Sequence, residues 1–131
     1  MEKWNEVFKG KIPEGLYAVE LSFGEKNGLI VQLYNKNTLI EIDFGVVKAV
    51  RILDEGVVID GVYLEDEVQK YKKDGFINTI YEIKEGEFKK QIELMLGNYL
   101  EFYCLKHYIL VTMNYNIEIV TEWEPTIRVL Y

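Results

Sequence analysis

Ser22 is the only serine of the chain, His107 its only histidine and Cys104 its only cysteine. A nucleophilic dyad or triad needs a hydroxyl or thiol within hydrogen-bond reach of a base. Ser22 and His107 both fall in segments that read as strand, and the one pair close in sequence is Cys104 with His107. An odd separation along a strand turns two side chains to opposite faces. That argues against a dyad and for a structural histidine beside a buried strand. The same shortage of imidazole and thiol disfavours a zinc site. There is no Walker motif and no Gly-x-Gly-x-x-Gly, and the glycines lie singly at turns. No metal and no cofactor are expected. Composition does permit a carboxylate pair, for instance Glu118 with Glu41 or Asp54, with one member raised in pKa by an apolar pocket as in a small hydrolase. With 22 acidic residues, some pair falls at a suitable distance by chance, and a solvated face is the better account.

The acids matter more as surface. Against them stand 15 bases, for a formal charge of −7. An acidic chain without a local basic patch repels phosphate backbones, so no nucleic-acid partner is expected. A basic protein partner would be drawn to it by electrostatic steering. Two acidic regions are candidate docking surfaces. One runs through Asp54, Glu55, Asp60, Glu65, Asp66 and Glu67 with no base among them; the other is the row Glu118, Glu122 and Glu124. Solubilising charge accounts for either as readily as docking does. A lone cysteine rules out an intrachain disulfide and fits a reducing compartment. No secretory h-region and no membrane-length apolar run occur. A cytoplasmic protein is expected.

These residues must be positioned by one domain covering 1–131, a length that fits a single core. Tyr108 to Met113 is almost continuously apolar, as for a strand covered on both faces. Tyr115 to Trp123 alternates. Tyr115, Ile117, Ile119, Thr121 and Trp123 are predicted to face the core, and Glu118, Glu122 and Glu124 water. Asn114 and Asn116 are the expected turn residues of this hairpin. Upstream, Leu16–Phe23, Leu29–Tyr34, Leu39–Phe44 and Val46–Leu53 read as a four-strand meander. Trp4, Val7 and Phe8 suit a helical turn or a short strand. A helix is predicted from Leu64, stopped at Gly75, followed by a strand from Phe76 to Ile83. A second helix is predicted over Glu87–Leu96, its stripe Phe88, Ile92, Met95, Leu96 and Tyr99 facing inward and Gly97 ending it. Thr126 to Tyr131 adds a last edge strand. The class is α+β: a curved, mostly antiparallel sheet with a four-strand N-terminal meander, two helices and a C-terminal hairpin.

The stretch from His107-Tyr-Ile-Leu-Val-Thr-Met through Ile117-Glu-Ile-Val to Glu124-Pro125 resembles the end of small immunity proteins of bacterial polymorphic and contact-dependent toxin systems. Asp43-Phe-Gly and Ala49-Val-Arg-Ile-Leu-Asp-Glu-Gly56 are similar to the middle of such proteins, and together the motifs cover about a third of the chain. The resemblance implies an intracellular antidote without catalytic machinery. It would bind the toxic C-terminal domain of a cognate effector, often a basic nuclease. Arg51, Asp54, Glu55, His107 and Glu118 match the shared motif, and in that family type such residues hold the fold. The alternatives are the carboxylate-pair hydrolase, which calls for a deep pocket, and a structural or regulatory homodimer joined through an exposed strand edge.

Overall fold

The computed structural model describes residues 2–54, 71–72 and 75–131. Within them lie nine strands: β1 (Lys3–Glu6), β2 (Ala18–Gly24), β3 (Gly28–Tyr34), β4 (Leu39–Gly45), β5 (Ala49–Asp54), β6 (Ile80–Lys84), β7 (Lys106–Val111), β8 (Tyr115–Thr121) and β9 (Thr126–Val129). Helix α1 (Glu87–Leu96) runs into a 3-10 segment, Gly97–Phe102. Tyr71 and Lys72 are also helical. The rest of the helix expected from Leu64, and the acidic run beyond Asp54, lie outside the described residues.

All strand pairs are antiparallel, as expected, but they form two sheets where one was predicted. The first has the order β2-β3-β4-β9 and the second β1-β6-β7-β8-β5. The meander therefore stops after three strands. β5 leaves it and pairs with β8, from Ala49 opposite Val120 to Asp54 opposite Tyr115. Alternation identifies a strand but not its neighbour. Here the choice follows from β8, whose buried Glu118 lies directly across from Arg51 of β5. The departure is prepared at Gly45, which has φ 65°. A Cβ on Gly28 would come within 2.0 Å of the Gly45 carbonyl oxygen, so the β2–β3 turn and the end of β4 meet through glycine.

The inner faces of the two sheets share one core. Val31, Leu33, Ile40, Ile42 and Phe44 come from the first sheet, and Ile80, Tyr108, Leu110, Ile117 and Ile119 from the second. Strands β7 and β8 form the predicted C-terminal hairpin. Its turn is Met113-Asn114, closed by the Thr112 N–H donating to the Tyr115 carbonyl at 3.0 Å, and Asn116 belongs to β8 instead.

The second sheet is covered on its other face too. At one end Trp4, Tyr81, Ile83 and Ile109 pack with Tyr71 and Phe76. β1 is thus a strand of the sheet, with Trp4 opposite Ile83. At the other end lies α1. Its bounds match expectation and Gly97, at φ 54°, ends it, but the inward stripe forms only in part. Phe88 is buried and Ile92 and Leu96 are half-buried, while Met95 and Tyr99 are largely exposed. Phe88, Ile92 and Leu96, four apart, share the less exposed side of the helix, and Met95 and Tyr99 fall off it.

Candidate functional site

Three charged or titratable side chains from three neighbouring strands meet under α1. Arg51 of β5 and Glu118 of β8 are cross-strand partners, and His107 stands on the next strand, β7. Arg51 Nε donates to Glu118 Oε2 at 2.7 Å, and its terminal nitrogen reaches the same oxygen. His107 Nε2 lies 2.7 Å from Glu118 Oε1. Phe88 of α1 roofs the cluster, with the Arg51 guanidinium 5.2 Å from its ring centre and the His107 ring at 5.9 Å. His107 Nδ1 is buried with no hydrogen-bond partner among the described residues. It faces Gly86, where a Cβ would come within 2.4 Å of it. Glycine is the residue that lets the chain enter α1 so close to the imidazole.

Glu118 was expected outward, as a docking carboxylate; it is 1 % exposed. The parity was right, since Ile117 and Ile119 do face the core between the sheets. The other face is not water, because α1 covers it. Burial alone pushes the Glu118 carboxyl up, but hydrogen bonds and charge from His107 and Arg51 outweigh it and hold the group below the usual range. A carboxylate so held lacks the raised pKa of a general acid. Nor does it meet the partners considered for it. Glu41 alternates with the core residues Ile40 and Ile42, on the outer face of the first sheet, and bonds Arg128 there. Asp54 is exposed and shares parity with Val50, opposite to Arg51 and Glu118. Cys104 is exposed ahead of β7, apart from the buried His107. Among the described residues no group of three or more His, Cys, Asp or Glu side chains is placed to hold a metal.

The second feature is a surface. Trp123, expected in the core, is 57 % exposed. β8 ends at Thr121, and the chain bends through Glu122 and Trp123 before entering the other sheet as β9. Pro125 sits in this crossover and has no N–H to give a ladder. Alternation counted through to Trp123 therefore extended the strand two residues too far, and the Glu124-Pro125 step was the signal against it. Trp123 lines a shallow concavity of about 440 Å³ together with Val46, Asp43, Glu122, Glu124 and Lys48. Val46 is also well exposed. Lys48 Nζ is 3.7 Å from Glu122 and 4.4 Å from the Tyr103 ring centre, so its charge is engaged. The concavity presents an indole among carboxylates.

Of the residues expected to bind a partner, Asp54 and Glu124 are exposed, Glu122 is half-buried and Glu118 is enclosed. Glu55, Asp60, Glu65, Asp66 and Glu67 lie outside the described residues. Sequence reasoning missed Trp123 and Val46 as surface, whereas Asp43 lies outward as its alternation with Ile42 and Phe44 requires. A second, almost wholly apolar groove of about 300 Å³ opens between Leu21, Phe23, Val47 and Ile52. Among the described residues no helix is long and apolar enough to cross a membrane. No protein-family model, curated protein or solved structure matches the chain.

Proposed function

We propose that this chain is an immunity protein. It binds the toxic C-terminal domain of a cognate secreted bacterial toxin, a basic nuclease in this reading, and neutralises it stoichiometrically in the cytoplasm of the producing cell. The observation that carries the proposal is the exposed Trp123 set between Glu122 and Glu124 in an open concavity with Asp43. Tryptophan, with tyrosine and arginine, is enriched among the residues that carry most of the binding energy in protein interfaces. A cation brought over an indole face gains a further attraction, and surrounding carboxylates steer a basic surface to it. Asp54, at the exposed end of β5, and the acids that follow it in sequence supply a second docking region. The Arg51–Glu118–His107 cluster keeps the sheet in register beneath these surfaces and does not itself touch the toxin.

The test is co-expression with a toxin domain encoded beside this gene, followed by a binding measurement. Trp123→Ala should weaken binding at least tenfold while leaving thermal unfolding nearly unchanged. If no toxin domain is encoded there and no basic partner co-purifies, the proposal fails. If the toxin binds Trp123→Ala as tightly as the native chain, the docking surface lies at the acidic run from Asp54.

A further inference from the structure

α1 and its 3-10 extension turn large apolar residues away from the protein. Leu94 and Met95 are 82 % and 81 % exposed, and Tyr99 and Phe102 are 68 % and 71 % exposed. Tyr99 and Phe102 stand three apart in a 3-10 segment, where that spacing eclipses side chains, so both rings project from one side. Monomers rarely leave a contiguous apolar patch beyond a few hundred Å² unused. Leu94, Met95, Tyr99 and Phe102 follow closely along one segment on either side of Gly97, and four side chains of this size, two of them aromatic, together present on the order of 600 Å².

We propose that this face is the interface of a symmetric homodimer. The segment from Glu87 to Phe102 of one copy packs antiparallel on the same segment of the other. Two such faces remove about 1,200 Å² from water, which falls at the lower end of specific interfaces. Charge selects the orientation. Near its start the segment carries Lys89 and Lys90 against one acid, Glu87, which lies 3.7 Å from Lys90, and near its end it carries Glu101. Antiparallel packing sets Lys90 of each copy beside Glu101 of the other, whereas parallel packing sets like beside like. Charge also favours a second copy over a basic toxin here. Three acids and two bases are interspersed along the segment, without the excess of three carboxylates over one lysine that lines the concavity around Trp123.

Sedimentation velocity from about 5 to about 500 µM, bracketing micromolar affinities, tests this. The native chain should shift from monomer to dimer across that range. Met95→Glu with Phe102→Glu should hold it monomeric with an unchanged circular dichroism spectrum, since both positions are solvated in the monomer. Lys90→Glu should weaken the dimer at least threefold, and adding Glu101→Lys should restore it. A native chain that stays monomeric at the top concentration overturns the inference, as does a dimer indifferent to the double glutamate variant. If the chain is monomeric and the same double variant abolishes capture by a toxin domain, the face belongs to the toxin interface and the homodimer is excluded.

Discussion

His107 Nε2 lies 2.7 Å from Glu118 Oε1, and neither side chain reaches solvent. The two stand on adjacent strands of the hairpin that carries the centre of the second sheet, and Arg51 closes the arrangement from the strand on the far side. Removing one member of a buried charged pair leaves the other without compensation, at roughly 3–5 kcal/mol. Glu118→Ala should therefore cost about that much in urea unfolding. His107→Ala should also destabilise, since it strips one partner from the carboxylate. An Arg51→Ala loss comparable to a surface substitution, within about 0.5 kcal/mol, would show that Arg51 is dispensable to the cluster.

The same carboxylate gives stability a pH dependence. Its folded pKa is lowered, so in acid the unfolded chain binds the proton more readily than the folded one does. The contribution of Glu118 is complete above its unfolded value of about 4.3 and is lost as pH falls through the lower folded value. Unfolding free energy measured from pH 6 downward, in the native chain and in Glu118→Gln, should diverge least at the acid end. A difference between the two that stays constant through that range would remove Glu118 from the account.

Gly86→Ala is the sharpest probe of how α1 seats on the sheet. Its new methyl would meet His107 Nδ1 at 2.4 Å and Ile83 at 2.8 Å, and overpacking of this kind costs roughly 1–3 kcal/mol. Gly28→Ala meets backbone at 2.0 Å and also requires positive φ, so it should cost more than Gly86→Ala. Equal stability of the two variants, judged by chemical denaturation, would argue that the β2–β3 turn yields as easily as an imidazole does.

Ile119→Ala and Trp123→Ala separate core from surface on nearly adjacent residues. Ile119 is fully buried between the sheets, so its truncation should cost about 2–5 kcal/mol. The Trp123 change should stay near neutral, within about 0.5 kcal/mol. A large loss at Trp123 would mean that its indole packs as core in solution.

Binding should be electrostatically steered if the partner is basic. The double variant Glu122→Lys and Glu124→Lys should slow association by tenfold or more at low salt and change dissociation much less. Stopped-flow association over a salt series measures both rates. A salt-independent association rate in the native chain would leave the carboxylates around Trp123 without a steering role.

Much of the fold was legible because alternation and turn residues are local signals. Leu39–Gly45 and Ala49–Asp54 appear close to where the pattern put them, and α1 has its expected bounds. Pairing across tight turns was legible, in β2–β3–β4 and in β7–β8, but long-range pairing was not, because nothing within Ala49–Asp54 says that its partner is β8 and not β4. Faces were legible where one side met water, and along Tyr108–Val111, where continuous apolarity announced cover on both sides. Glu118 sits at a position that reads as solvent by parity, and its burial depends on a helix arriving from elsewhere in the chain with Phe88. The five residues that match the immunity-protein motif include the three that meet under α1. That grouping was present in the sequence as a resemblance and not as a geometry. Trp123 failed for a different reason: a proline two residues on had already ended the strand.

The crossing of β9 into the first sheet sets the order in which that sheet can be finished. Ile40, Glu41, Ile42 and Asp43 wait for Val129, Arg128, Ile127 and Thr126, some eighty residues later on the ribosome. Until then β4 is an unprotected edge beside a greasy inner face, open to wrong pairing with another nascent chain. With β1 waiting in the same way for β6 and β5 for β8, non-local pairing dominates. Such topologies fold on the millisecond-to-second scale. Under the proposed function, such a chain has to be made ahead of need, because one whose synthesis began on meeting a toxin would still hold unfinished sheets.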